Sequence, residues 1–173
     1  MPMLNEGLLL AISQIAVTLA GFSGLVVAIR GAPPTDWHPR DIWSLSWMFG
    51  TSLGALFLAL LPLLLALFAL RDGLLWTLAD LIMSAFMLVF AVTMALSGQR
   101  LTRLGHPPRV RYFPMGATFV LLVCGCLTGL GAAVFRELRI GFFVLGLIAC
   151  LLVSTLSLVV FLVVLARAAG ARS

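Results

Sequence analysis

The amino-acid sequence predicts an all-α polytopic membrane protein, a bundle of five transmembrane helices forming a single domain over residues 1–173. Three observations carry that expectation. Hydrophobic residues fill 62% of the 173 positions and charged residues 10%, where a soluble domain carries about a quarter charged residues. Five runs are each long enough to cross a hydrocarbon layer about 30 Å thick, which takes about 20 helical residues. The runs are continuously apolar, without the alternation of lipid and lumen faces found in barrel strands. Helices, which satisfy their own backbone polar groups, are therefore the expected spanning element. A water-soluble globule, a disordered chain and a disulfide-scaffolded module are excluded.

In order, the expected helices are Gly7–Ile29, Ile42–Leu70, Leu74–Leu96, Tyr112–Phe135 and Ile140–Ala166. The first follows a leader without positive charge and is longer than a signal h-region, so it reads as a span rather than a cleaved signal. The second exceeds the length a span needs. Pro62 within it cannot donate to the carbonyl of Leu58, which makes it a candidate kink or gating hinge. The segment Gly31–Asp41 carries Pro33, Pro34 and Pro39, and Gln99–Arg111 carries Gly105, Pro107 and Pro108; both read as connections. Arg71-Asp72-Gly73 and Arg136–Arg139 read as tight turns between antiparallel neighbours.

The formal net charge is +5 with a pI near 10.5. The arginines lie between the apolar runs, where they set topology and meet lipid phosphates. No basic stripe interleaved with aromatics suggests nucleic acid; the expected partner is the lipid bilayer. Arg30, Arg40, Arg100, Arg103, Arg109, Arg111, Arg167 and Arg172 fall on one side, and Arg71, Arg136 and Arg139 on the other. The positive-inside rule then puts the N-terminus outside and the C-terminus in the cytoplasm of a multi-pass protein of the bacterial inner membrane. Trp43, Trp47 and Tyr112 are expected at the inner interface and Trp76 at the outer one.

Small residues recur every fourth position: Ala16, Ala20, Gly24 and Ala28 in the first helix, Ser46, Gly50 and Gly54 in the second, Gly125, Gly129 and Ala133 in the fourth. In lipid, where hydrophobic drive between helices is weak, such ladders allow the close approach that brings helices together. They predict packing faces, within the chain by default. The first helix also has a polar edge. Glu6, Ser13, Gln14, Thr18, Gly21 and Gly24 share one sector, with Ile12, Ile15, Leu19 and Val26 opposite. Gln14 and Thr18, near mid-membrane, bond to neighbouring helices or line a watery path. Glu6 at the outer mouth would repeat as an acidic ring in an assembly, a feature that favours cations, or it simply stabilises the first helical turn.

Asp80 is the one acid well inside a predicted span. It shares a face with Gly73, Thr77, Ser84, Met87, Ala91 and Ala95, so it points into protein or a water-filled cavity. Its side chain leans toward the outer end of the helix, where Arg136 and Arg139 are available. It is either a structural, paired carboxylate or an ion or proton site.

Chemistry is otherwise sparse. Cys124 and Cys126 fall on nearly opposite helix faces and cannot share a metal; they and Cys150 read as apolar thiols. His38 and His106 lie in connections without a ligand cluster. There is no phosphate-binding loop, metalloprotease motif or nucleophile elbow. No enzyme activity, cofactor or metal is expected. The leading expectation is a homo-oligomeric inner-membrane channel for cations or protons, with Glu6, Gln14, Thr18 and Asp80 on its pathway. A non-catalytic scaffold or accessory subunit, bound to a different membrane protein, is the alternative.

Overall fold

The computed structural model describes residues 2–30, 38–68, 70–106, 112–135 and 137–170. The chain forms five α-helices: α1 (Pro2–Arg30), α2 (Pro39–Ala66), α3 (Asp72–Arg103), α4 (Tyr112–Ala133) and α5 (Arg139–Gly170). All five are long and apolar enough to cross a membrane. The all-α multi-pass architecture is therefore as the composition predicts, while the helix ends differ in instructive ways.

Hydropathy marks where lipid ends, not where helix ends. α3 runs past Leu96 through Ser97-Gly98-Gln99-Arg100 to Arg103, because Gln, Arg and Leu are good helix formers whatever their polarity. At 32 residues it is about 48 Å long at 1.5 Å per residue. Gly105 stops it, with φ at 82°. The His106 amide bonds the Leu101 carbonyl at 2.9 Å and the Gly105 amide bonds that of Thr102 at 3.1 Å. That pair of bonds is a Schellman end, and the left-handed residue it needs is glycine. At the opposite end of α3, Arg71-Asp72-Gly73 is not a turn between helices. Arg71 is the N-cap and Asp72 lies in the first helical turn, where the macrodipole favours a carboxylate. α2 begins on Pro39, a residue preorganised for a helix start. It closes at Ala66, one turn after Pro62, so the proline has no long arm beyond it to swing as a hinge.

α5 organises the bundle, since among the described residues it alone touches all four other helices. α1 packs on α2 and α5 and touches neither α3 nor α4. α4 lies mainly on α3. The core is centred on Trp47, Met83, Met87, Leu121, Phe143 and Leu147, all fully buried. A smaller cluster joins Val26 of α1, Leu45 and Met48 of α2 and Phe161 of α5.

The glycines of the α2 and α4 ladders meet packing partners within the chain, whereas Ser46 and Ala133 are exposed. Phe86 and Phe90, stacked with centroids 5.7 Å apart, lie directly over Gly54 and Gly50, where a side chain would collide with their rings. Gly125 receives Met87 and Leu88, and Gly129 faces the Ser84 hydroxyl at 2.9 Å from the position a Cβ would take. The α1 ladder fails as a single face. Ala16 is buried and Ala20 half-buried, while Gly24 and Ala28 are exposed. Four residues turn a helix by about 400°, so a row taken strictly every fourth residue drifts by about 40° per step.

Side chains also tie helices through hydrogen bonds. The Ser84 hydroxyl donates to the Gly125 carbonyl at 2.8 Å. The Ser154 hydroxyl donates to that of Met48 at 3.1 Å, and the Trp43 indole to that of Met94 at 3.3 Å. Contacts of this kind contribute about 0.6–2 kcal/mol each in a membrane. Trp43 and Trp47 are buried between helices, whereas Tyr112 is exposed.

The double change Gly50→Leu/Gly54→Leu displaces two stacked rings, an overpacking that typically costs about 1–3 kcal/mol. The expected result is a clear drop in the thermal midpoint of the detergent-solubilised protein, followed by circular dichroism. Gly116→Leu, where a Cβ meets nothing within 4 Å, should leave that midpoint unchanged.

Candidate functional site

The residues predicted from sequence to share one pathway occupy two separate places. Glu6, Gln14 and Thr18 project from the exposed side of α1. Asp80 is buried in α3, a helix that α1 does not touch.

On α1, Leu9, Ile12, Ser13, Ala16, Ser23 and Val26 form the buried face, and the opposite side is exposed. Local bonds satisfy several hydroxyls: Ser13 donates to Leu10, Thr18 to Gln14 and Ser23 to Leu19, at 2.7, 2.9 and 2.7 Å. The Gln14 side chain is left on the outward surface of a span. Around it the exposed residues Gly7, Ala11, Gln14, Thr18, Gly21, Leu25 and Ala28 alternate steps of four and three. That spacing keeps a stripe straight along a helix and is the repeat of a left-handed interhelical seam. A Cβ at Gly7, Gly21 or Gly24 meets nothing within 4 Å, so the stripe has no partner among the described residues. The polar edge was readable from sequence. The seam was missed because the small residues were read every fourth position rather than in the seven-residue recurrence of Gly7, Gln14, Gly21 and Ala28.

Asp80 is fully buried, and neither carboxyl oxygen has a hydrogen-bond partner among the described residues. It does not lean out to the interface as the helix direction had suggested. Ala79, Met83, Met87 and Ala91, all without exposed surface, show how firmly this face of α3 is covered. One turn toward the start of α3, Trp76 meets Phe143 of α5 edge-on at 5.9 Å. One turn the other way is the Ser84–Gly125 bond. The Arg139 guanidinium donates to the Gly73 carbonyl at 3.3 Å. Arg136 lies outside the described residues. Among the described residues, Asp80 is thus a sequestered carboxyl without a hydrogen-bond partner. Trp47 is a second buried polar group of this kind, its indole N–H lacking an acceptor between the rings of Trp43 and Phe90.

The fold brings together one pair not anticipated from sequence. His38, the N-cap of α2, and His106, just beyond α3, meet edge-to-face with centroids 4.5 Å apart. They come from different connections, so no local spacing signals them. Among the described residues no group of three or more His, Cys, Asp or Glu is placed to hold a metal. Cys124 and Cys150 are buried and Cys126 is exposed, with Cys124 and Cys126 on different sides of α4.

Compared with protein-family models, curated proteins and solved structures, the chain matches none.

Replacing a buried carboxyl that makes no hydrogen bond by an apolar group of similar size removes a desolvation cost without losing a bond. Asp80→Leu is therefore expected to keep or raise the thermal midpoint in detergent. A fall of several degrees would show instead that Asp80 holds the bundle through a paired charge.

Proposed function

We propose that the protein is a homo-oligomeric membrane channel conducting cations or protons, with α1 facing the assembly axis. The observation that supports this best is the outward stripe of α1. It puts Gln14 and Thr18 at mid-span on a surface that the described residues leave uncovered. An amide in hydrocarbon needs water or another helix, and repeated copies supply both. One five-helix bundle has little cross-section for a pore, whereas several copies can enclose one. Glu6 then repeats as an acidic ring at the mouth, which favours cations. Asp80 is the coupling or selectivity carboxyl within each protomer, acting from the α3–α5 core rather than from the α1 path. The arginine distribution supports a cytoplasmic C-terminus and residence in a bacterial inner membrane.

The separation of Asp80 from α1 favours a second reading. The same seam accepts a helix of a different membrane protein, and the chain is then a non-conducting scaffold or accessory subunit. Neither reading assigns it catalysis, a cofactor or nucleic acid.

Two measurements distinguish these readings. In proteoliposomes under a salt or proton gradient, the wild type is expected to conduct, and joint Glu6→Gln and Asp80→Asn replacement to change its rate or selectivity. No flux from the wild type, or flux indifferent to that replacement, would sink the proposed path. In a background lacking native cysteines, Gln14→Cys is expected to crosslink copies of this chain to each other in membranes. Crosslinking only to another polypeptide would identify the accessory subunit.

A further inference from the structure

A groove of about 920 Å3 runs between the last turns of α3 and the first turns of α4, within the range of about 300–1,000 Å3 typical of ligand sites. It lies apart from both the α1 stripe and Asp80. α3 contributes Ala95, Gly98, Gln99, Thr102 and Arg103, a set whose spacing puts it on one helix face. The facing wall is α4, through Met115, Phe119 and Leu122. Trp43 of α2 closes the inner side. Gly98 admits that ring, since a Cβ there would lie 2.8 Å from the indole.

The groove changes character with depth. Because α3 and α4 are antiparallel, Arg103 and Met115 stand at its mouth, with Ala95 and Leu122 two turns deeper. The deep part is apolar. The mouth is positive: Arg100 and Arg103 occupy the last turn of α3, and the first turn of α4 carries no acid. Asp41, the described acid at this end of the bundle, is buried and already engaged. Tyr112 at the mouth is exposed, and tyrosine on a spanning helix favours the level of lipid headgroups. Meanwhile Met115 and Phe119, each 67% exposed, open the groove sideways toward hydrocarbon.

An occupant must therefore carry a negative head and a long apolar tail, and must arrive from the bilayer. We propose that the α3–α4 groove binds one anionic phospholipid, its phosphate at Arg103 and an acyl chain along Met115, Phe119 and Leu122. Gln99 and Thr102 face the remaining headgroup oxygens. The Thr102 hydroxyl donates to the Gly98 carbonyl at 2.9 Å, so it can accept from a glycerol hydroxyl of the headgroup, while the Gln99 amide N–H donates to its oxygens.

Native mass spectrometry of the full chain, stripped of lipid in detergent and titrated with phosphatidylglycerol or phosphatidylcholine of matched chains, tests the site. One phosphatidylglycerol is expected to remain bound in preference to phosphatidylcholine. Arg103→Gln should weaken it about fivefold, the worth of one basic side chain at an anionic surface. Thr118→Trp, filling the groove, should abolish retention of either lipid, while Arg71→Gln at the far end of α3 changes nothing. Free glycerol phosphate should not displace the lipid. Equal retention of both lipids, an Arg103→Gln loss matched by Arg71→Gln, displacement by glycerol phosphate, or a co-purified polypeptide crosslinked into the groove would each overturn the proposal. Arg103 is exposed, so its replacement decides the matter even if Thr118→Trp fails to fold.

Discussion

The structure depends on how closely its helices can approach each other in a solvent that gives them little reason to associate. Lipid chains are as apolar as leucine side chains, so helices gain from packing contacts more than from burial. Gly50 and Gly54 meet this constraint by letting the Phe86–Phe90 stack lie against the α2 backbone. Gly125 and Gly129 do the same for α3 on α4, and Gly146 for α5, where Met83, Met87 and Thr128 converge. A side chain at any of these positions has to displace its neighbours. The central place of α5 follows from the same rule, because it receives α2, α3 and α4 at once.

Polar groups obey a second form of the constraint. With no water in the hydrocarbon layer, most hydroxyls find a carbonyl. Most take their own helix, as Thr51 does with Trp47 and Ser157 with Val153, both at 2.7 Å. Ser84 and Ser154 take a neighbouring helix and join α3 to α4 and α5 to α2. Against this background, the departures gain meaning. Among the described residues, Asp80 is enclosed without a hydrogen-bond partner, and Gln14 sits on an exposed surface of a spanning helix. The first carries a desolvation cost inside the bundle and the second faces lipid or another helix.

Much of the architecture was legible in the sequence because lipid imposes a simple length and hydropathy requirement. The five spans and the buried face of α3 around Asp80 follow from it. The polar sector of α1 follows only in part: Gln14 and Thr18 are exposed and Ile12 and Val26 buried, yet Ser13 of that sector is buried and Ile15 opposite is exposed. What sequence could not convey depends on three dimensions. Trp43 and Trp47 read as interface anchors from their position near a helix start, yet their burial comes from α3 packing over them. The Arg71–Gly73 segment resembled a turn because its residues are common in turns. They also suit an N-cap and a first helical turn, and only the path of the chain chooses between the two. Whether Asp80 and α1 share a site is likewise a matter of which helices touch.

The arrangement of contacts links the α1 stripe and the α3–α4 groove. α1 meets only α2 and α5, so a helix docked on its outward stripe approaches from the side of the bundle remote from α3 and α4. Assembly through α1 then leaves the groove mouth open to the bilayer, with Arg103 at headgroup level. The same geometry reverses if copies meet through α4: Phe119 and Met115, now exposed, would be covered and the groove closed to lipid. An axis at α1 and a lipid at α3–α4 are therefore mutually consistent, and each narrows how copies of the chain can be arranged.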